Sequence, residues 1–196
     1  MAETWMTVFL IIAAFIAGSV PFGWIYVKLF KGRDVRELGS GSIGATNVYR
    51  AAGLAAALLV FFLDFAKGFI FPFFFGESYT LKIALGMMVI LGHNFSIFLK
   101  GRGGKGVASS AGVASALAPL CLLSSFAVFV VVFALSGIIS LSSIIAVGFF
   151  PVFCFIFSLS AEIKIFAVAA FAFVLFSHRA NIARLFRGEE KKASKL

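Results

Sequence analysis

Apolar runs of roughly membrane thickness recur along this chain, and they leave little choice of fold. A hydrocarbon core about 30 Å thick is crossed by about 20 apolar residues of α-helix. Trp5 to Val27 holds no charged residue. Leu54 to Phe75 is interrupted only by Asp64 and Lys67, and Ile83 to Leu99 is bracketed by Lys82 and Lys100. Ile138 to Ala161 is charge-free, and Ile163 to Ser177 is short and contains Lys164. Between Val107 and Ser136 lies a further apolar stretch with Pro119 near its middle. The 196 residues are 62% hydrophobic and 13% charged, against about 45–50% and about 25% in soluble domains. Water cannot accommodate that excess of Phe, Ile, Val, Leu and Ala, so the class is an all-α integral membrane protein. The N-terminal MAETWMTV lacks the basic region of a secretory signal, so the first run is expected to be a retained span.

The number of spans follows from charge placement. The net charge is +9, and most basic residues flank apolar runs, which indicates topology and an anionic membrane face rather than nucleic acid. One basic segment holds Lys28, Lys31, Arg33, Arg36 and Arg50. A second holds Lys100, Arg102 and Lys105. The tail holds Arg179, Arg184, Arg187, Lys191, Lys192 and Lys195. The positive-inside rule places all three on the cytoplasmic face. Six spans would send the tail outside; seven keep the three together, with the N-terminus outside. The Val107–Ser136 stretch is therefore predicted to split at Pro119, which ends a helix readily. Residues 1–196 are expected to form a single polytopic domain.

Three polar segments then share one face: GSGSIGATNVYRAAG from Gly39, GRGGKGVASS from Gly101, and SHRANIARLFRGEE from Ser177. Gly39, Gly41 and Gly44 match the spacing of a dinucleotide fingerprint. That motif needs a strand before it and a βαβ unit around it, whereas membrane helices flank this one. Its local chemistry still suits an anion: glycines let backbone N–H groups converge, Ser40, Ser42, Thr46 and Asn47 add short donors, and Arg50 adds a bidentate phosphate partner. The second segment is not a Walker A loop, since Gly106 follows Lys105 where Ser or Thr is required. It reads as a flexible basic loop opening a helix whose N–H groups favour an anion, or as a plain cytoplasmic turn. His178, Asn181 and Arg184 follow roughly one helical face, either at a site or on a lipid-facing amphipathic helix. His93 is open to an active-site role or to that of a satisfied core histidine. Asp64 and Lys67 are expected to neutralise one another as a structural pair. Cys121 and Cys154 are expected to be inert buried thiols, with no metal site.

Taken together, GSGSIGATNVYRAAG, GHNFSIFLKGRGGKGVAS and HRANIARLFRGEE resemble the bacterial acyl-phosphate-dependent glycerol-3-phosphate acyltransferases of the inner membrane. The resemblance spans essentially the whole chain, including GSVPFG and DFAKG. Ser42 stands where the family has Asn, Ser96 where it usually has Pro, and Ser109 where it usually has Thr. The resemblance implies seven spans with the N-terminus outside, and transfer of a fatty acyl group from acyl phosphate to the 1-hydroxyl of glycerol 3-phosphate. The products are lysophosphatidic acid and phosphate, with no cofactor. Residues carried over as catalytic are Arg50, Lys105, His178 and Asn181. Those carried over as phosphate-binding are Ser40, Gly41, Gly44, Thr46, Asn47, His93, Gly103, Gly104, Gly106 and Arg179. The proton acceptor is either His178 or the phosphate of the acceptor substrate. No His-x₄-Asp signature follows His93 or His178, since Phe98 and Ala183 stand five residues on, so acyl-CoA is expected to be a poor donor. The rival reading is a small anion or phosphate-ester transporter, which would place polar groups near the midplane of several spans; here only Asp64 and Lys67 enter one.

Overall fold

Glycine, proline and serine cut the apolar chain into helices at the positions where each has a local reason to do so. The computed structural model describes residues 2–193, in which there are ten α-helices and no strand. Lys195, counted above with the basic tail, lies outside the described residues. The chain divides into two compact units, Met1–Leu117 and Ala118–Leu196.

In the first unit, α1 (Ala2–Ser19) and α2 (Phe22–Lys31) together make up one candidate span, Glu3–Lys31, which contains the expected Trp5 to Val27 run. The break falls at Val20–Pro21, because proline has no N–H to continue the ladder and disfavours the helical region for the residue before it. Gly32, in the left-handed region at φ 67°, closes α2. A short α3 (Ala45–Ala52) precedes α4 (Leu54–Phe75), the two separated by Gly53. The side chain of Ser78 caps α5 (Tyr79–Asn94) by accepting from the Leu81 N–H. Then α6 runs over Val107–Leu117.

Small residues set the packing of this unit, as expected where lipid offers helices no hydrophobic drive to associate. A Cβ on Gly68 of α4 would strike the Ser109 carbonyl of α6, and one on Gly112 would strike the backbone of Phe65 and Phe69. Gly18 and Gly92 bring α1 and α5 together in the same way. Val27, Val35, Ile43, Val48, Ala56, Val60 and Leu99 form a buried cluster beneath the 32–44 loop.

In the second unit, α7 (Pro119–Ser136) begins on the predicted proline and ends at Gly137, left-handed at φ 68°. Helices α8 (Ile139–Ile156), α9 (Ala161–Ser177) and α10 (Arg179–Phe186) follow, with a 63° bend between the last two. The split at Pro119 is as expected. Among the described residues, five segments are long and apolar enough to cross a membrane, or six when the bent α9–α10 pair is counted as one span. Helix α6 has 11 residues and is about 16 Å long at 1.5 Å per residue, short of the hydrocarbon thickness. The chain is thus an all-helical, multi-pass integral membrane protein.

Candidate functional site

The first unit presents two glycine-containing loops, and in both several backbone amides are already engaged. In the loop before α3, Asn47 is buried, and its carboxamide nitrogen donates to the carbonyls of Val35 (2.7 Å), Leu38 (2.9 Å) and Ser42 (2.8 Å). Its carbonyl accepts from the Ser40 N–H at 3.0 Å. Gly41 N–H donates to the Leu38 carbonyl and Gly44 N–H to the Ser42 hydroxyl. The expected cradle of amides from Ser40, Gly41 and Gly44 is therefore corrected, and so is the reading of Asn47 as a phosphate donor: two amide hydrogens serve three carbonyls, which leaves none for an anion. What the loop offers is side chains. Ser40, Thr46 and Arg50 are half-buried around it, and a Cβ on Gly39 would fall against Asn47 and the Arg50 side chain, so that glycine makes room for the arginine. The loop is braced from behind. Asp34 accepts from the Trp24 indole (3.1 Å) and from the Arg36 guanidinium (2.6 Å), and the Arg36 hydrogen bond holds the Asp34 carboxyl well below its ordinary range.

The second loop lies against the end of α5. Gly103 N–H donates to the Asn94 carbonyl (3.1 Å) and Gly104 N–H to the His93 carbonyl (2.9 Å). A Cβ on Gly103 would land on those carbonyls, and one on Gly104 would land on the His93 ring. These glycines are present for close approach to α5, which corrects the expectation that their amides face phosphate. Gly106, at φ 77°, starts α6, its carbonyl accepting from Ser110 N–H. Lys105 is half-buried at this helix start, where the macrodipole adds positive potential. The Ser109 hydroxyl, one turn in, is buried without a hydrogen-bond partner.

His93 is also corrected as a phosphate ligand. It is 3% exposed and lies behind the loop, its Nδ1 3.4 Å from Asp64 Oδ1. Lys67 Nζ is 2.7 Å from the same oxygen and donates to the Val20 carbonyl at 3.0 Å. The expected Asp64–Lys67 pair is therefore present, with His93 as a third member that the sequence did not reveal.

The second unit gathers the third segment. His178 sits at the bend between α9 and α10, with Nδ1 2.9 Å from the Val174 carbonyl. A carbonyl only accepts, so Nδ1 carries the hydrogen and the neutral ring has its lone pair on Nε2. Asn181 is buried and donates to Glu190 Oε1 (2.6 Å); Ser140 Oγ donates to the same oxygen (2.7 Å) and Arg184 Nε to Oε2 (2.6 Å). Burial alone would raise the Glu190 pKa, but the hydrogen bonds from Ser140, Arg184 and Asn181 outweigh it and lower the value. Glu190 and Ser140 were not anticipated as site residues. Glu190 lay within the quoted motif, but a partner 50 positions away leaves no local pattern. Arg179 turns aside: exposed, its guanidinium stacks 4.6 Å from the Phe176 ring centroid and bonds the Phe176 carbonyl, so it does not join this group.

Comparison with known proteins adds an independent line. A family model described as glycerol-3-phosphate acyltransferase matches residues 8–188. A glycerol-3-phosphate acyltransferase of Staphylococcus carnosus is 41% identical, covering 95% of this chain and 98% of its own. That of Aquifex aeolicus is 40% identical over 94% and 97%. Two crystal structures of PlsY (YgiH), an integral membrane glycerol 3-phosphate acyltransferase, each align over 95% of both chains at 40% identity. The glycerol 3-phosphate form has a TM-score of 0.90, and the lysophosphatidic acid form has 0.87.

Proposed function

This chain belongs to the glycerol-3-phosphate acyltransferase family, and from that premise we propose that it transfers a fatty acyl group from acyl phosphate to the 1-hydroxyl of glycerol 3-phosphate. Lysophosphatidic acid and inorganic phosphate leave. The transporter alternative drops out, because the matched relatives are acyltransferases. The observation that carries the reading is the family match over residues 8–188, which takes in the first two polar motifs and the third as far as Gly188, in order.

The chain forms one polytopic domain of the bacterial inner membrane, with seven crossings and the N-terminus outside. The gathering of basic residues in three segments supports this count, with α6 crossing where the bilayer is locally thin. Burying a 16-carbon tail at about 0.8 kcal/mol per CH₂ contributes about 10 kcal/mol before entropy losses, so apolar helices suffice to hold the donor. Acyl phosphate is a mixed anhydride with a good leaving group, and both cysteines are buried within helices; direct attack by the glycerol hydroxyl follows, without an acyl-enzyme. Lys105, at the positive end of α6, neutralises the departing phosphate, while Arg50 and Asn181 orient glycerol 3-phosphate. Ser40 and Thr46 line the phosphate positions. The proton passes to His178 Nε2 or to the acceptor's own phosphate. The Nδ1 hydrogen bond favours the tautomer a base requires, and His178→Gln decides: a variant keeping most of kcat assigns the proton to the substrate.

The test is phosphate release by the purified protein in lipid nanodiscs supplied with palmitoyl phosphate and glycerol 3-phosphate. Turnover is expected in the wild type, with a loss of at least about 100-fold, near 3 kcal/mol, in Lys105→Ala. Absence of release in the wild type, or robust turnover with palmitoyl-CoA alone, overturns the reading.

A further inference from the structure

Asp64 and Lys67 are the buried carboxylate and ammonium among the described residues, at 2% and 6% exposure, and they sit inside a membrane helix. Taking such a pair out of water costs more than its mutual attraction returns, and well-packed apolar residues in its place are commonly neutral or stabilising. Stability alone gives no reason to keep it, so what the pair touches becomes the question.

It touches four pieces of the first unit. Asp64 and Lys67 stand on α4. Lys67 Nζ reaches the Val20 carbonyl, where α1 breaks from α2, and lies 5.4 Å from the Phe22 ring centroid. Asp64 Oδ1 faces His93 Nδ1 on α5. The opposite edge of that ring, at Nε2, fills the space a Cβ on Gly104 would need, while the His93 carbonyl holds the Gly104 N–H. Lys105 is the next residue. The other ionisable side chains of α5, Tyr79 and Lys82, lie at its far end.

We propose that Asp64, Lys67 and His93 are positioning residues for the donor side of the reaction, fixing the seat of the Gly103–Lys105 turn on the end of α5. The buried ions set the plane and depth of the His93 ring, the ring and its carbonyl set Gly104, and Gly104 sets the backbone from which Lys105 projects. A network built for this purpose tolerates burial cost, because a displacement of about 1 Å at a charge-neutralising group is enough to slow catalysis severely. This inference rests on the assignment of Lys105 to the acyl phosphate.

The test uses the full chain in nanodiscs, with each substrate varied in turn. Single changes at Asp64 or Lys67 strand a buried charge and threaten folding, so the informative variant is Asp64→Leu/Lys67→Met, which removes both. It is expected to melt at the wild-type temperature or above, yet to raise KM for palmitoyl phosphate about 10-fold while KM for glycerol 3-phosphate stays within about 2-fold. His93→Leu behaves like the double variant, and His93→Gln, which keeps a polar group against Gly104, recovers most of the loss. Wild-type KM values in the double variant, or equal changes for both substrates, overturn the proposal. A readout independent of activity separates its failure from that of the proposed reaction: trypsin is expected to cut after Arg102 and Lys105 at least about 10 times faster in the double variant, and equal rates sink the positioning role even if no turnover is ever seen.

Discussion

The loop at Gly39–Gly44 and the loop at Gly101–Gly106 read alike in sequence, both glycine-rich and both followed by a helix and a cation. Both hold glycines at positive φ, Gly39 and Gly41 in the first and Gly101 and Gly106 in the second, but Gly41 and the Gly103–Gly104 pair are glycine for different physical reasons. In the first, Gly39 and Gly41 adopt positive φ, 53° and 71°, and a Cβ on Gly41 would come no closer than 3.5 Å to the Arg36 carbonyl. Backbone conformation requires glycine there. In the second, Gly103 and Gly104 have no such constraint, but a Cβ on either would strike the end of α5. Contact requires glycine there. The first loop is fastened by a side chain, Asn47, and the second by the backbone of the neighbouring helix. A glycine pattern therefore does not by itself report an anion cradle. It reports a tight path, and the hydrogen-bond partners of its amides decide the rest.

The largest expected effect attacks the first loop's fastener. Asn47→Ala strands the Ser42 carbonyl and the Ser40 N–H and takes one of two donors from the Val35 and Leu38 carbonyls, which keep the Leu38 and Gly41 N–H groups; at about 1–3 kcal/mol for each group left dry, the loop loses its shape. Phosphate release is expected to fall by at least about 100-fold, and Asn47→Asp, which restores the acceptor but not the donors, is expected to do no better. Near-normal turnover in Asn47→Asp would mean that Asn47 holds nothing essential, and the contrast between the loops would collapse. Next comes a matched pair. Gly104→Ala meets the His93 ring and calls for displacement costing about 1–3 kcal/mol, so turnover drops about 30-fold. Gly41→Ala makes only ordinary contact with the Arg36 carbonyl and meets left-handed strain of about 1–2 kcal/mol, so the drop is about 5-fold, and Gly41→Asn recovers part of it because Asn tolerates that region. A reversed order, with Gly41→Ala the worse, would break the distinction.

Much of the fold was legible because the signals were local. Pro119 starts α7, and the Asp64–Lys67 spacing gives the expected pair. Pro21 was equally visible, yet the apolar run through it masked the break between α1 and α2, since hydropathy does not register a two-residue interruption inside one span. The composition of the site was legible too, while its wiring was not. Asn47 was recognised as a donor, but its acceptors are backbone carbonyls, which have no sequence signature. Glu190 is held by Ser140 and Asn181, and nothing near Glu190 in the chain announces Ser140. His93 joins Asp64 from a different helix. In each case the missing information was a partner far along the chain.

The smallest expected effect concerns acid. The first loop leans on an ionised carboxylate, Asp34, hydrogen-bonded by Arg36 and Trp24; the second is held to α5 by backbone hydrogen bonds to the His93 and Asn94 carbonyls. Because Asp34 has a lowered pKa in the folded chain, its contribution is fully present above the ordinary Asp value of about 3.9 and is lost as pH falls through the lower, folded value. The Trp24 indole reports this directly, in a Trp5→Phe background that leaves one tryptophan. Its emission is expected to hold constant from pH 7 to about pH 4 and to shift only below that, while trypsin cleavage after Lys105, assayed at neutral pH following a brief acid exposure, stays unchanged. In Asp34→Asn the acid shift should vanish, with turnover at neutral pH reduced about 2-fold, the scale of one partly exposed hydrogen-bonded ion pair. A Trp24 transition centred near pH 5 would mean that the carboxylate is not held by Arg36, and that the brace behind the first loop is weaker than the contact that seats the second.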